Sequence, residues 1–215
     1  WHHGENRYRG GDGPIGVNGG NDMRLNPLYQ AFIDAGGDAG YPFTADYNGF
    51  QQAGFGQKNM SVEGGVRSST SRCYLDTIKS RPNLNVISRV HVDQWSMDGN
   101  RAIGVRYRAA NRQLKLFCSG EVILSAGSIG SPTILQRSGI GPAETLSNAG
   151  VKVNVDSPGV GANLQDHLEV YFQYECTQPV SLNRQLSWWR KGLIGTRWVA
   201  TKQGLGATNH FESCG

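Results

Sequence analysis

Residues 121–141, EVILSAGSIGSPTILQRSGIG, constrain the chain more than any other stretch. Val122, Ile123 and Leu124 form an unbroken apolar run, the pattern of a short strand buried on both faces. Ser125-Ala126-Gly127-Ser128 then removes nearly all side-chain bulk. Ser131 is placed to cap a helix and Pro132 to open it, because proline lacks only an N–H that a first helical turn leaves unpaired. Ile134 and Leu135 give that helix an apolar side, and Gly139 and Gly141 are expected to end it. Strand, glycine turn and helix start together let backbone approach a ligand closely, with free N–H groups and a positive dipole end beside it. Packing alone also accounts for such a unit in an α/β protein, so spacing by itself leaves a bound nucleotide and a structural turn both open.

With 215 residues and 38% hydrophobic side chains, the chain has material for one large domain or two small ones. Its 30 glycines point to many tight turns. No run of apolar residues reaches membrane-spanning length and no charged-then-apolar leader is present, so neither a membrane span nor a signal peptide is expected. A start at Trp1 rather than methionine suggests an internal fragment. The 21 basic and 17 acidic residues leave a net charge of +4, spread without a Lys/Arg block, which argues against a nucleic-acid partner. Cys73, Cys118, Cys176 and Cys214 lie far apart, with no C-x-x-C pair and no histidine at ligand spacing. Reduced thiols in a cytoplasm and no metal site are the expectation. His2-His3 has no assigned role.

Along the chain, residues 1–24 read as an extended, glycine-rich loop. Asn26-Pro27 opens a helix carrying Leu28, Phe32 and Ile33, which Gly36-Gly37 is expected to stop. Residues 41–56 read as irregular surface structure or short hairpin strands. Ser69 or Thr70 caps a second helix whose Tyr74, Leu75 and Ile78 share a face, ended by Arg81-Pro82. Strands are expected at Leu84–Ile87, at Val90–Val92, over Ile103, Val105 and Tyr107 after a turn at Asp98-Gly99-Asn100, and over Leu114, Leu116 and Cys118. A short helix over 142–149 precedes an alternating strand at Val151, Val153 and Val155. The loop 158–167, PGVGANLQDH, leads into a further alternation at Val170, Phe172, Tyr174 and Cys176, and 182–202 is mostly helical with Trp188, Trp189 and Trp198. The order of elements predicts a mixed α/β arrangement, with no internal repeat.

At this point two motifs become recognisable. Gly127 to Gly141 resembles the second signature of the glucose–methanol–choline (GMC) oxidoreductases at every constrained position, and 158–167 is similar to that family's PGVGxNLxDH segment at matching spacing. Tyr8-Arg9-Gly10-Gly11-Asp12-Gly13-Pro14, Tyr47-Asn48-Gly49-Phe50-Gln51-Gln52, Asp166-His167-Leu168-Glu169, Trp188-Trp189 and Asn209-His210-Phe211-Glu212 favour its choline-oxidising branch. The family's G-x-G-x-x-G fingerprint and its active-site histidine region are absent from these residues.

The resemblance implies an α/β (α+β mixed) fold: part of a Rossmann-like FAD-binding domain over 61–166, a substrate-domain portion with connecting loops over 1–60, and the start of an antiparallel-sheet substrate domain over 167–215. It implies FAD as cofactor, choline or a similar small alcohol as substrate, oxidation to betaine aldehyde, and an electron acceptor other than mainly oxygen. Cofactor contacts are expected at Val92, Ala126, Gly127, Ser128 and Asn163, Val92 through its backbone at the adenine ring. Glu169 takes the position that faces the quaternary ammonium, Trp189 its aromatic partner, and His210 the histidine that hydrogen-bonds the alcohol oxygen. Without the family, Glu169 would be a solvated edge residue, Val92 a core strand residue and His210 a histidine satisfied by neighbours. The base is expected C-terminal to this stretch, so no catalytic residue is assigned. A cytoplasmic location is expected, with peripheral association at the inner face of the membrane left open. The alternatives are another GMC alcohol dehydrogenase or oxidase, and a non-catalytic binding fragment.

Overall fold

The computed structural model describes residues 4–19 and 26–215. Part of the extended-loop reading, His2-His3 included, lies outside the described residues; 4–19 are turns and coil, with an Asn6–Arg9 bridge. The chain forms two compact units, one of Trp1–Asn85 with Phe172–Gly215 and the other of Val86–Tyr171.

The first unit opens with α1, Pro27–Asp38, whose N-cap Asn26 accepts a hydrogen bond from Leu28 N–H while Pro27 supplies the first helical position. Ile33 is buried on its inner side. Gly36 and Gly37 do not stop this helix. A Cβ at Gly36 would stand 2.2 Å from Phe55 Cγ, so the glycine is the slot into which that ring packs, and α1 runs on to Asp38 before Gly40 at φ +85°. Short ladders follow: β1, Gly56–Gln57; β2, Val62–Glu63; and β3, Val66–Arg67, which pairs antiparallel with β2. Ser69 Oγ accepts from Arg72 N–H and opens the expected second helix, which is a π-helical turn, Ser71–Leu75, continued by α2, Asp76–Ile78.

The second unit is built on a three-stranded antiparallel meander: β4, His91–Asp98; β5, Arg101–Ala109; β6, Arg112–Phe117. Gly99 at φ +55° turns the first hairpin, and Ala110 and Asn111, at +44° and +63°, turn the second. Leu84–Ile87 is not a strand; it has no ladder partner among the described residues, and Val86 and Ile87 are exposed. Nor do Val122, Ile123 and Leu124 form the buried strand expected of them: no described segment pairs with them and Ile123 is 80% exposed.

The helix after it, α3, Gly127–Arg137, begins five residues before the expected start at Pro132, which lies inside it. Ser131 does serve the helix start, but backwards: its Oγ accepts from the N–H of the N-cap Ala126 at 3.0 Å, in the manner of the returning half of a capping box. Gly139, at φ +81°, takes the chain out of α3 as expected. Then come β7, Ile140–Gly141; α4, Ala143–Asn148, capped by Asp156 Oδ1 on Ala143 N–H; and β8, Val155–Asp156, parallel to β7. Of the alternating run Val151–Val155, only Val155 enters a ladder.

Ser138 ties α3 to the meander. Its buried hydroxyl accepts from Trp95 N–H at 2.8 Å and donates to Ile134 C=O at 2.6 Å. Removing it strands a backbone donor in the interior. Ser138→Ala is therefore expected to cost about 1–3 kcal/mol, read as a lower urea midpoint; an unchanged midpoint would show that this junction holds nothing.

Returning to the first unit, residues 172–180 have no ladder partner among the described residues, so the alternation at Val170–Cys176 is not a strand, and Phe172 and Tyr174 stand exposed. A 3₁₀ turn, Leu182–Leu186, leads to α5, Trp188–Thr201. Trp198 Nε1 donates to Gly65 C=O at 2.7 Å and fixes α5 on the β2–β3 turn. Finally β9, Ser213–Cys214, pairs antiparallel with β1. The buried apolar residues among those described are few: Ile33, Met60 and Ala207 in this unit, Ile134 and Leu146 in the other.

Candidate functional site

In the unit Val86–Tyr171, the two recognised motifs meet. The exposed side of α3 and the loop 160–165 line one open groove of ≈ 620 Å³, with Ser128, Pro132, Gln136, Gly161 and Asn163 among its walls. Gln136 Nε2 donates to Val160 C=O at 3.1 Å and holds loop to helix. The fit is close. A Cβ on Gly161, which sits at φ +83°, would lie 2.7 Å from that same nitrogen, and Asn163 follows at φ +55°. Both are conformations that glycine and asparagine adopt more readily than other residues.

Gly127 enters α3 at φ +84°, and apart from its own chain neighbours and helix backbone no atom of the described residues lies within 4 Å of where its Cβ would be. Space is open in front of the first turn, where the N–H groups of a helix start lack intrahelical acceptors. Together these features suit an anionic, flat-bodied ligand approaching backbone. Of the five expected cofactor positions, Ser128 and Asn163 line the groove, and Ala126 and Gly127 form the helix entry beside Ser128. Val92 lies on β4, half-buried and opposite Tyr107.

Glu169 belongs to the same unit and Trp189 and His210 to the other. Glu169 is exposed, and Tyr171 Oη donates to its Oε2 at 2.5 Å. Tyr171 was not foreseen; positions i and i+2 of an extended segment share a face, which was the available signal. A carboxylate beside an aromatic ring is a pairing suited to a quaternary ammonium, which offers charge but no hydrogen to donate. The hydrogen bond to Glu169, with a smaller contribution from desolvation, raises the Tyr171 phenol above its ordinary pKa of 10.0. The bond is thus kept while the phenol is protonated and lost as pH rises through that raised value. In a ¹³C-tyrosine titration, Glu169→Gln is expected to lower the Tyr171 midpoint; an unmoved midpoint would refute the pairing.

Trp189, 49% exposed on α5, carries the Arg190 guanidinium 4.9 Å from its ring centroid, so one ring face is already engaged. His210 is exposed, and its backbone stands at φ +63°. A further link joins two motif segments: Arg9, only 12% exposed, binds Asp46 at 2.5 Å and also Asn59. Among the described residues no His, Cys, Asp or Glu cluster is arranged to hold a metal, and no helix is long and apolar enough to cross a membrane.

Comparison with known proteins gives the same picture. The sequence profile described as GMC oxidoreductase matches residues 4–169. The chain is 58% identical over 214 residues to an oxygen-dependent choline dehydrogenase of Photobacterium profundum and 49% identical over 218 residues to one of Pseudomonas putida, covering 100% and 99% of this chain and 38% of each relative. The chain thus spans well under half the length of these relatives. Among solved structures it is similar to an FAD-dependent oxidoreductase from Chaetomium thermophilum, at TM-score 0.80 and 26% identity over 98% of this chain and 37% of that one. It is also similar to a pyridoxine 4-oxidase from Mesorbium loti, at 0.64 and 29% over 69% and 29%. The fold is the mixed α/β one of these enzymes, with a Rossmann-like FAD-binding region and an antiparallel-sheet substrate-binding region. The signature helix, the glycine loop packed against it and a profile match across most of the chain lead to one conclusion: this chain belongs to the GMC oxidoreductase family.

Proposed function

We propose that this chain is part of an FAD-dependent enzyme that oxidises choline to betaine aldehyde and passes the electrons to a separate acceptor. The observation that carries the reading is the groove in which α3 and the 160–165 loop meet, in a chain 58% identical to a choline dehydrogenase. Residues 61–166 contribute to cofactor binding in this reading, and 1–60 with 167–215 to the substrate side. Ala126, Gly127, Ser128 and Asn163 hold the dinucleotide through small side chains and backbone N–H groups, and Val92 contributes backbone. The flavin supplies hydride acceptance at the carbinol carbon. Glu169 and Trp189 bind the trimethylammonium group by charge and ring face, and His210 donates to the alcohol oxygen and orients it.

A cytoplasmic location belongs to the same reading. Flavin absorbance of the whole enzyme of which this chain is part, and its bleaching by choline under anaerobic conditions, test the reading. A colourless protein contradicts the cofactor. Equal bleaching by an uncharged alcohol of the same shape favours the second reading, a GMC enzyme for another alcohol, to which the likeness to a pyridoxine 4-oxidase lends support.

A further inference from the structure

His210 holds a backbone conformation that few residues other than glycine adopt, and the surrounding turn accounts for it. At φ +63° an L-residue brings Cβ close to its own carbonyl side, so the conformation persists only where neighbours over-determine it. Here they do. The Thr208 hydroxyl accepts from His210 N–H at 3.1 Å and donates to Glu212 Oε1, a carboxylate that is 0% exposed. Asn209 Oδ1 accepts from Phe211 N–H at 3.1 Å, closing the turn on its other side. From α1, Tyr29 Oη donates to His210 C=O at 3.1 Å. Buried Met60 receives Asn209 N–H on its sulfur at 3.4 Å. The backbone N–H and C=O of His210 are both engaged, and its imidazole is left exposed.

We propose that Thr208 and Tyr29 are positioning residues for His210, with the buried Glu212 carboxylate orienting the Thr208 hydroxyl. The proposal rests on the reading of His210 as the residue that meets the substrate oxygen. Thr208 is the centre of the device because one hydroxyl both gives and receives: its proton goes to Glu212, with Met60 Sδ a longer alternative at 3.6 Å, and its lone pair receives the histidine N–H. Valine keeps the shape and loses both bonds. Serine keeps both bonds and loses only a methyl group.

Two measurements on the flavin-loaded protein test it. Amide hydrogen exchange reads the lock itself: Thr208→Val is expected to speed exchange at His210 N–H roughly tenfold, the value of one lost hydrogen bond, and Thr208→Ser to restore protection. Choline turnover reads its purpose: kcat/KM is expected to fall about tenfold in Thr208→Val, to recover in Thr208→Ser, and to fall a few-fold in Tyr29→Phe, which removes one hydroxyl from a half-buried site. If Thr208→Val fails to fold, Tyr29→Phe and Thr208→Ser carry the test. Unchanged exchange at His210 N–H in Thr208→Val, or in Tyr29→Phe where Thr208→Val does not fold, overturns the lock. Faster exchange with unchanged kcat/KM, while His210→Ala lowers it, shows a turn that positions nothing and equally overturns the proposal. Indifference of kcat/KM to His210→Ala removes the substrate reading of His210, and the positioning role with it.

Discussion

Glu169→Gln is expected to weaken choline binding by up to roughly a hundredfold. The substitution keeps the shape of the side chain and removes only its charge. A charge pair about 5 Å apart at an effective dielectric of about 20 is worth on the order of 3 kcal/mol before desolvation, which sets that upper bound. Glu169 stands exposed in this chain, so screening by water and salt pulls the effect below the bound wherever the bound substrate fails to exclude solvent. The loss should appear in Kd or KM rather than kcat, since the trimethylammonium charge is the same in the ground and transition states. 3,3-Dimethylbutan-1-ol, the uncharged isostere, should be nearly indifferent. Trp189→Ala should weaken both ligands, because it removes apolar contact as well as a ring face. Equal losses for choline and its isostere in Glu169→Gln would return Glu169 to a structural role.

The second large effect is expected at the entry to α3. Gly127→Val should leave less than about a tenth of the flavin that the unaltered protein holds, because a β-branched residue at φ +84° strains the backbone and fills the open space before the first turn. The structure separates these two causes. Beyond the adjoining backbone no described atom is near the would-be Cβ, so a residue that tolerates positive φ meets no clash from the rest of the protein. Asparagine is such a residue. Gly127→Asn is therefore expected to fold with an unchanged urea midpoint and still lose flavin, since its side chain occupies the space left for the ligand. Normal flavin content in both variants would make the turn ordinary packing.

The residues announced some features of this fold and concealed others. Asn26-Pro27 could be read because capping is local: one side-chain oxygen and one missing N–H, both in the sequence, decide where α1 begins. The hairpin at Asp98-Gly99 was legible for the same reason. The Ala110-Asn111 turn was not, because alanine at φ +44° contradicts its own preference and is held there by the register of β5 and β6 on either side. Gly36 shows the converse error. A glycine pair late in a helical pattern reads as a stop, whereas its purpose is set by Phe55, nineteen positions away. Strands fared worst, since a strand exists only when another segment pairs with it, and alternation at Val170–Cys176 says nothing of a partner.

In the site, the motif residues were legible as positions but not as contacts. That Gln136 would bind the 160–165 loop, that Tyr171 would reach Glu169, and that Arg9 would meet Asp46 are all consequences of packing at long or alternating range.

The two ends of α3 are held with very different firmness. Its carboxyl end is pinned from several directions, by Trp95 and Ile134 at the Ser138 hydroxyl and by Asn154 Nδ2 on the Ser138 carbonyl. At its amino end the side-chain bonds among the described residues stay within the helix start, Ser131 Oγ receiving Ala126 N–H and Thr133 Oγ1 donating to Ile129 C=O, and Pro132 can offer no N–H to the preceding turn. Such a helix behaves as a cantilever. Motion is expected to concentrate in the first turn, beside the groove, with the last turn registered with the meander, a difference that amide hydrogen exchange along the helix would read. A ligand arriving at the free end need order only that turn, so the entropic penalty of capture is confined to a handful of residues and none of the strain is transmitted to the sheet.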